Sequence, residues 1–149
     1  MEVNQVNYHT LQTSIDEVVG KIGLARTIRL LSSFIKNSSI ESSESEKLKL
    51  ITTYIIAQAI AIFDLEEDQF YSSKIPEYRE ARMGCFYLLK KYTHCSHARI
   101  GERFGLTKRN VLYYIQKCDE MLSIPQFYKG FIHKFEQLDN RTVEFLSKF

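Results

Sequence analysis

Apolar residues recur at three- and four-residue intervals along most of the chain, the spacing that gathers them on one face of an α-helix. Leu11, Ile15, Val18, Val19 and Ile22 form the first series, and beyond Gly20 and Gly23 a second follows in Leu24, Ile28, Leu31, Phe34 and Ile35. The pattern predicts two helices, or one interrupted near Gly23. The stretch NSSIESSESE, residues 37–46, has too little apolar area to be buried and reads as a loop running into a helix start. Ser43 and Glu46 stand at capping-box spacing, which predicts a helix from about Glu44 to Asp64.

The segment LEEDQFYSSKIPEY then leads to Pro76, suited to an early helical position. Tyr78, Cys85, Leu88, Leu89 and Tyr92 predict a helix over about Glu77 to Tyr92, broken at Thr93, His94 and Cys95. Ser96 can cap a short helix ending at Phe104, and Thr107 another running to about Met121. After Pro125 a last amphipathic helix is expected on Phe127, Phe131, Phe135, Leu138 and Phe145.

The 149 residues include only 6 Gly and 2 Pro, a scarcity of turn-formers that argues for an all-α helical bundle rather than a β-sandwich. A chain of this length can bury a core without disulfide or metal staples. Cys85, Cys95 and Cys118 are odd in number and unevenly spaced, and read as free thiols. The run from Leu48 to Phe63 includes Thr52, Thr53 and Gln58 and falls short of the ~20 apolar residues of a membrane span. With no basic segment leading into an apolar one at MEVNQVNYHT, a cytoplasmic location without membrane contact is expected.

Charge divides the chain. Residues 1–74 hold seven Lys or Arg against ten Asp or Glu, whereas residues 75–149 hold thirteen against eight. A boundary near residue 73 is therefore expected, with an N-terminal helical lobe at 1–73 and a second region at 74–149. Within 79–117, nine cations face only Glu80 and Glu102, a surplus of seven that suits a polyanionic partner.

The informative stretch is SHARIGERFGLTKRNVLYYIQKC, residues 96–118. A helix-turn-helix needs a small residue where its two backbones meet, a turn residue such as Gly, and apolar residues facing a shared core. Gly101 and Gly105 fill the first two roles, and Ile100, Phe104, Leu106, Val111 and Tyr114 the third. Thr107 then opens a recognition helix whose outer face carries Lys108, Arg109, Leu112, Tyr113 and Gln116, placed to enter the major groove of duplex DNA. Arg109 can address guanine in a bidentate manner, Asn110 or Gln116 adenine, and Lys108 or Lys117 phosphate. Arg79, Arg82, Arg99 and Arg103 are the expected positioning contacts, and Tyr113 can either meet a phosphate or a thymine methyl or pack on its neighbour as a surface residue.

The run RMGCFYLLKKYTHCSHARIGERFGLTKRNVLYYIQKCDEML resembles the C-terminal, duplex-binding domain of the bacterial replication initiator DnaA, within the Trp-repressor-like helix-turn-helix class. The likeness rests on Arg82, the apolar CFYLL, Ser96, the Ile100-Gly101 and Phe104-Gly105 pairs, Val111 and the Cys118 to Leu122 tail, and covers about residues 75–140. It implies a helix-turn-helix of that type, a double-stranded DNA partner, and DNA contacts from Arg82 and the face of residues 107–116. The family's recognition helix opens with an Asp-His-Thr-Thr run. Here Lys108-Arg109-Asn110 stands there after a turn one residue shorter, so a different target sequence is expected. No GxxxxGK[ST] loop occurs, so neither the initiator's nucleotide-binding module nor a nucleotide partner is expected.

Other constellations carry less. His94, Cys95 and His97 crowd too closely to ligate one metal together, and a second ligand pair is lacking. Glu66, Glu67 and Asp68 read as a solvated acidic loop. No motif for catalysis or a cofactor emerges. The expected function is that of a non-catalytic DNA-binding protein, a transcriptional regulator or a replication or mobile-element accessory factor. A homodimer built on the apolar LITTYIIAQAIAIF is a further expectation, unless the N-terminal helices satisfy one another. The alternative is a protein-interaction module in which the acidic, helical N-terminal lobe binds a partner and the helix-turn-helix serves only as scaffold.

Overall fold

The computed structural model describes residues 6–38 and 45–148. Among the described residues seven α-helices follow one another, α1 (Tyr8–Ile22), α2 (Leu24–Ser38), α3 (Ser45–Phe63), α4 (Pro76–Tyr92), α5 (His97–Phe104), α6 (Lys108–Leu122) and α7 (Lys129–Leu146), with one 3₁₀ turn at Glu67–Gln69. No strand occurs among the described residues, and the fold is all-α as expected.

Local chemistry sets the helix ends. The Asn7 side chain accepts from the Thr10 amide at 2.8 Å and opens α1. Gly23, at φ +88° and ψ 160°, takes an extended positive-φ conformation that side chains resist, and so separates α1 from α2 with one residue. The Ser43 of the expected capping box lies outside the described residues. Pro76 occupies the first turn of α4, where its missing amide hydrogen costs nothing.

One core spans both sides of residue 73. Leu48, Ile51, Ile55, Ile56, Ala59 and Phe63 of α3 share a single buried cluster with residues of α4, α5, α6 and α7. The apolar run expected to build a dimer is thus consumed inside the protein: Ile51, Ile55 and Ala59 are fully buried against α4 and α7. At the centre stands α4, packed on α3, α5, α6 and α7, with Ala81, Cys85, Phe86 and Leu88 at zero exposure. Polar ties fix its neighbours. Tyr54 of α3 stacks on Phe145 of α7 at 3.9 Å between ring centres, and Arg141 donates to Gln58 at 2.7 Å. The Tyr92 hydroxyl donates to Asp139 at 2.6 Å, beside the Lys91–Asp139 ion pair at 3.5 Å.

Two expectations at the edges change. Phe127 lies before α7 rather than on its buried face and is 77% exposed, because the chain turns at residues 125–127 and the helix begins only at Lys129. The N-terminal pair forms as helices but adds little to the core. α1 buries no residue, and α2 reaches the core through the half-buried Phe34.

Candidate nucleic-acid interface

The corner between α5 and α6 follows from a few residues. The Ser96 hydroxyl accepts from the Arg99 amide at 3.2 Å and starts α5. Gly105 ends that helix in the left-handed conformation, φ +68°. Its amide donates to the Glu102 carbonyl at 3.4 Å and the Leu106 amide to the Gly101 carbonyl at 2.8 Å, the paired bonds of a Schellman motif. A Cβ on Gly101 would collide with the Leu106 carbonyl oxygen, so the close crossing requires glycine. Ile100, Phe104 and Val111 are buried at this corner, with Leu106 and Tyr114 half-buried beside them. Phe104 sets its edge against the Phe86 ring of α4 at 4.6 Å, which ties α5 to the central helix.

Thr107 starts α6 by accepting from the Asn110 amide at 3.2 Å. Because Val111, Cys118 and Met121 turn inward, the opposite side faces solvent: Thr107, Lys108, Arg109, Asn110, Leu112, Tyr113 and Gln116 are all exposed, and Lys117 is half-buried. Leu112 is 38% and Tyr113 57% exposed, too open for core residues of their size. Arg79, Arg99 and Arg103 are exposed as well. Arg79 and Lys117 share an open hollow with Tyr113, Tyr114 and Tyr128, which the Glu80 carboxylate also lines. Arg99 and Arg103 line another with Lys49 of α3, over a floor of Leu48, Leu89 and Ile100. Lys49 lies far from this corner in sequence, so no local pattern could have singled it out. The Arg103 guanidinium rests 5.6 Å from the centre of the Tyr71 ring, which holds it at the surface.

Arg82 must be removed from the set of expected DNA contacts. It is only 8% exposed, and its two guanidinium nitrogens donate to the carbonyls of Phe70 and Ser73, each at 2.7 Å. Position 82 sits on the central helix, on the side that faces the connection from α3, so the charge clips that connection rather than meeting solvent. Burial, as the main cause, lowers its pKa from the ordinary arginine value. Two further cations of the 79–117 surplus are engaged internally: Lys90 donates to the Cys95 carbonyl at 3.3 Å, and Lys91 pairs with Asp139.

Burial raises the thiol pKa of all three cysteines, that of Cys118 to about 12, which keeps them protonated and poorly nucleophilic. Cys95 is buried and His94 exposed, so the HCSH residues do not converge, and no metal-ligating cluster occurs among the described residues. Glu66, Glu67 and Asp68 are exposed at the 3₁₀ turn. No helix of the described residues is long and apolar enough to cross a membrane. No protein-family model, curated protein or solved structure matches the chain.

Proposed function

We propose that the chain is a sequence-specific double-stranded DNA-binding protein, a transcriptional regulator or a replication or mobile-element accessory factor, that lays α6 in the major groove. The observation that carries this reading is the division of α6 into two sides. Its inner side buries Val111, Cys118 and Met121 and follows a turn held tight against Gly101 of α5, while its outer side presents Lys108, Arg109, Asn110 and Gln116 to solvent from the first turn onward. A helix entering the major groove reads bases with its N-terminal turns, and these are the side-chain types that pair with guanine and adenine edges. Arg79, Arg99, Arg103 and Lys117 serve as phosphate contacts around it, the role that fixes register without specifying sequence. The resemblance to the duplex-binding domain of DnaA supports the same docking, with Arg82 now assigned to the fold instead of to DNA.

Binding to duplexes of mixed sequence at rising salt tests the reading, for the wild type and for Lys108→Ala combined with Arg109→Ala. Each phosphate contact contributes about −0.9 to the slope of log affinity against log salt, so the expected response is steep and is weakened in the double variant. A flat response with no loss in the variant points instead to a protein-interaction module that uses the helix pair as scaffold. Selection of bound oligonucleotides from a random pool then yields the target.

A further inference from the structure

We infer that the hollow between α3, α4 and α5 is a binding site for a small carboxylate with an apolar body. Lys49 of α3 and Arg99 and Arg103 of α5 stand over a floor of Leu48, Leu89 and Ile100. The floor residues belong to the one buried cluster, so three elements of the core fix the shape of the hollow before anything enters. Its volume is about 290 Å³, at the lower edge of small-molecule sites. That is room for roughly ten water-sized groups at ~30 Å³ each, which suits a short apolar acid.

The charges that select the occupant line the hollow itself. Three cations meet one carboxylate there, that of Glu102. Among the described residues, none of the three has a carboxylate at ion-pair distance. Arg103 is positioned by the Tyr71 ring, 5.6 Å from its guanidinium carbon. The other polar groups of the lining add no competing anion: the Thr52 hydroxyl donates to the Leu48 carbonyl at 2.7 Å, and the Cys95 thiol is kept protonated chiefly by burial. A ligand head group therefore meets cations, and the arginine fork matches a carboxylate with two parallel hydrogen bonds. A cationic head would face three like charges. A duplex phosphate would satisfy the cations but leave the apolar floor uncovered, whereas an apolar acid uses both. Arg99 and Arg103 are also among the phosphate contacts proposed above, so an occupied hollow competes with a duplex for them. That consequence rests on the DNA reading, whereas binding to the hollow does not.

Titration of the full chain with octanoate in the absence of DNA, followed through its backbone amide resonances, tests the site. The amides of Leu48, Leu89 and Ile100 should shift together and saturate with a dissociation constant of ~1 mM or tighter. Lys49→Gln should weaken binding about 3-fold, and Glu102→Gln should tighten it by about 2-fold, as expected for charges at a solvent-open site. Both positions are exposed, so the fold is retained, and a merely structural role would not move the two variants in opposite directions. Octanoate that saturates the hollow of a protein showing no duplex binding at any salt supports the site and overturns the DNA reading alone. Absence of shifts at the floor at ~10 mM octanoate overturns the proposal. So does binding of acetate, octylamine or 1-octanol as tight as that of octanoate, or a constant that is the same in the wild type and both variants.

Discussion

Gly101 and Leu106 are tied together at the corner of α5 and α6: the Leu106 amide donates to the Gly101 carbonyl at 2.8 Å, and the Leu106 carbonyl oxygen occupies the space a Cβ at position 101 would need. The hydrogen bond and the missing side chain together set how closely the two helices cross. Since backbone rather than a flexible side chain fills that space, Gly101→Ala must push the turn away from α5. Overpacking of this kind costs ~1–3 kcal/mol, and here it also rotates the outer face of α6. Thermal unfolding should shift down, and duplex affinity should fall further than the stability loss explains. Gly130→Ala, at a helical position with open space around it, is the control and should leave stability unchanged or slightly raised.

Arg109 and Arg99 separate base reading from phosphate positioning. Arg109→Ala should cost about 1–3 kcal/mol against the selected target and relax preference at one base pair. Arg99→Ala, on α5, should weaken all duplexes alike and reduce the salt slope by about 1. Titrations on the selected duplex and on a scrambled one, at several salt concentrations, check both. Equal losses on both duplexes for Arg109→Ala would remove it from base contact.

Most of the helix boundaries were legible, because caps and breakers are local. Ser96, Gly105, Thr107 and Pro76 act on the residues beside them, and the helices they bound begin and end where their chemistry requires. Burial was less legible. The run ending in AQAIAIF looks the same whether its cover is another molecule or the rest of its own chain, and α4 and α7 provide that cover. Arg82 failed as a surface cation because helical periodicity alone does not reveal that α4 is surrounded on nearly every side.

Arg82 should behave as part of the fold. Arg82→Ala leaves the Phe70 and Ser73 carbonyls without their charged donor and opens a gap beside Phe70, itself fully buried. Hydrogen bonds to charged groups contribute ~1.5–3 kcal/mol, so a loss of about 2–4 kcal/mol in denaturant unfolding is expected. The salt slope of duplex binding should not change, measured at a temperature where the variant remains folded. A reduced slope with full stability would return Arg82 to the interface.

His97 reports on the meeting of α4, α5 and α6 through its titration. Its pKa lies below the ordinary value of 6.5, first because of partial burial and then because Lys90 and Lys108 stand near it. The folded protein therefore takes up fewer protons than the unfolded chain as pH falls through the region just below 6.5, and stability should decline there. Lys108→Ala removes one repelling cation and should move the His97 pKa part of the way up, with the burial contribution left in place. Nuclear magnetic resonance titration of the imidazole in the two proteins reads this directly. Duplex binding works in the same direction as the substitution, since phosphates brought to Lys108 favour the imidazolium. Affinity should thus rise as pH is lowered from 7 toward 6, and His97→Gln should abolish that rise. An imidazole whose pKa is the same with and without Lys108 would remove Lys108 from the causes of its shift.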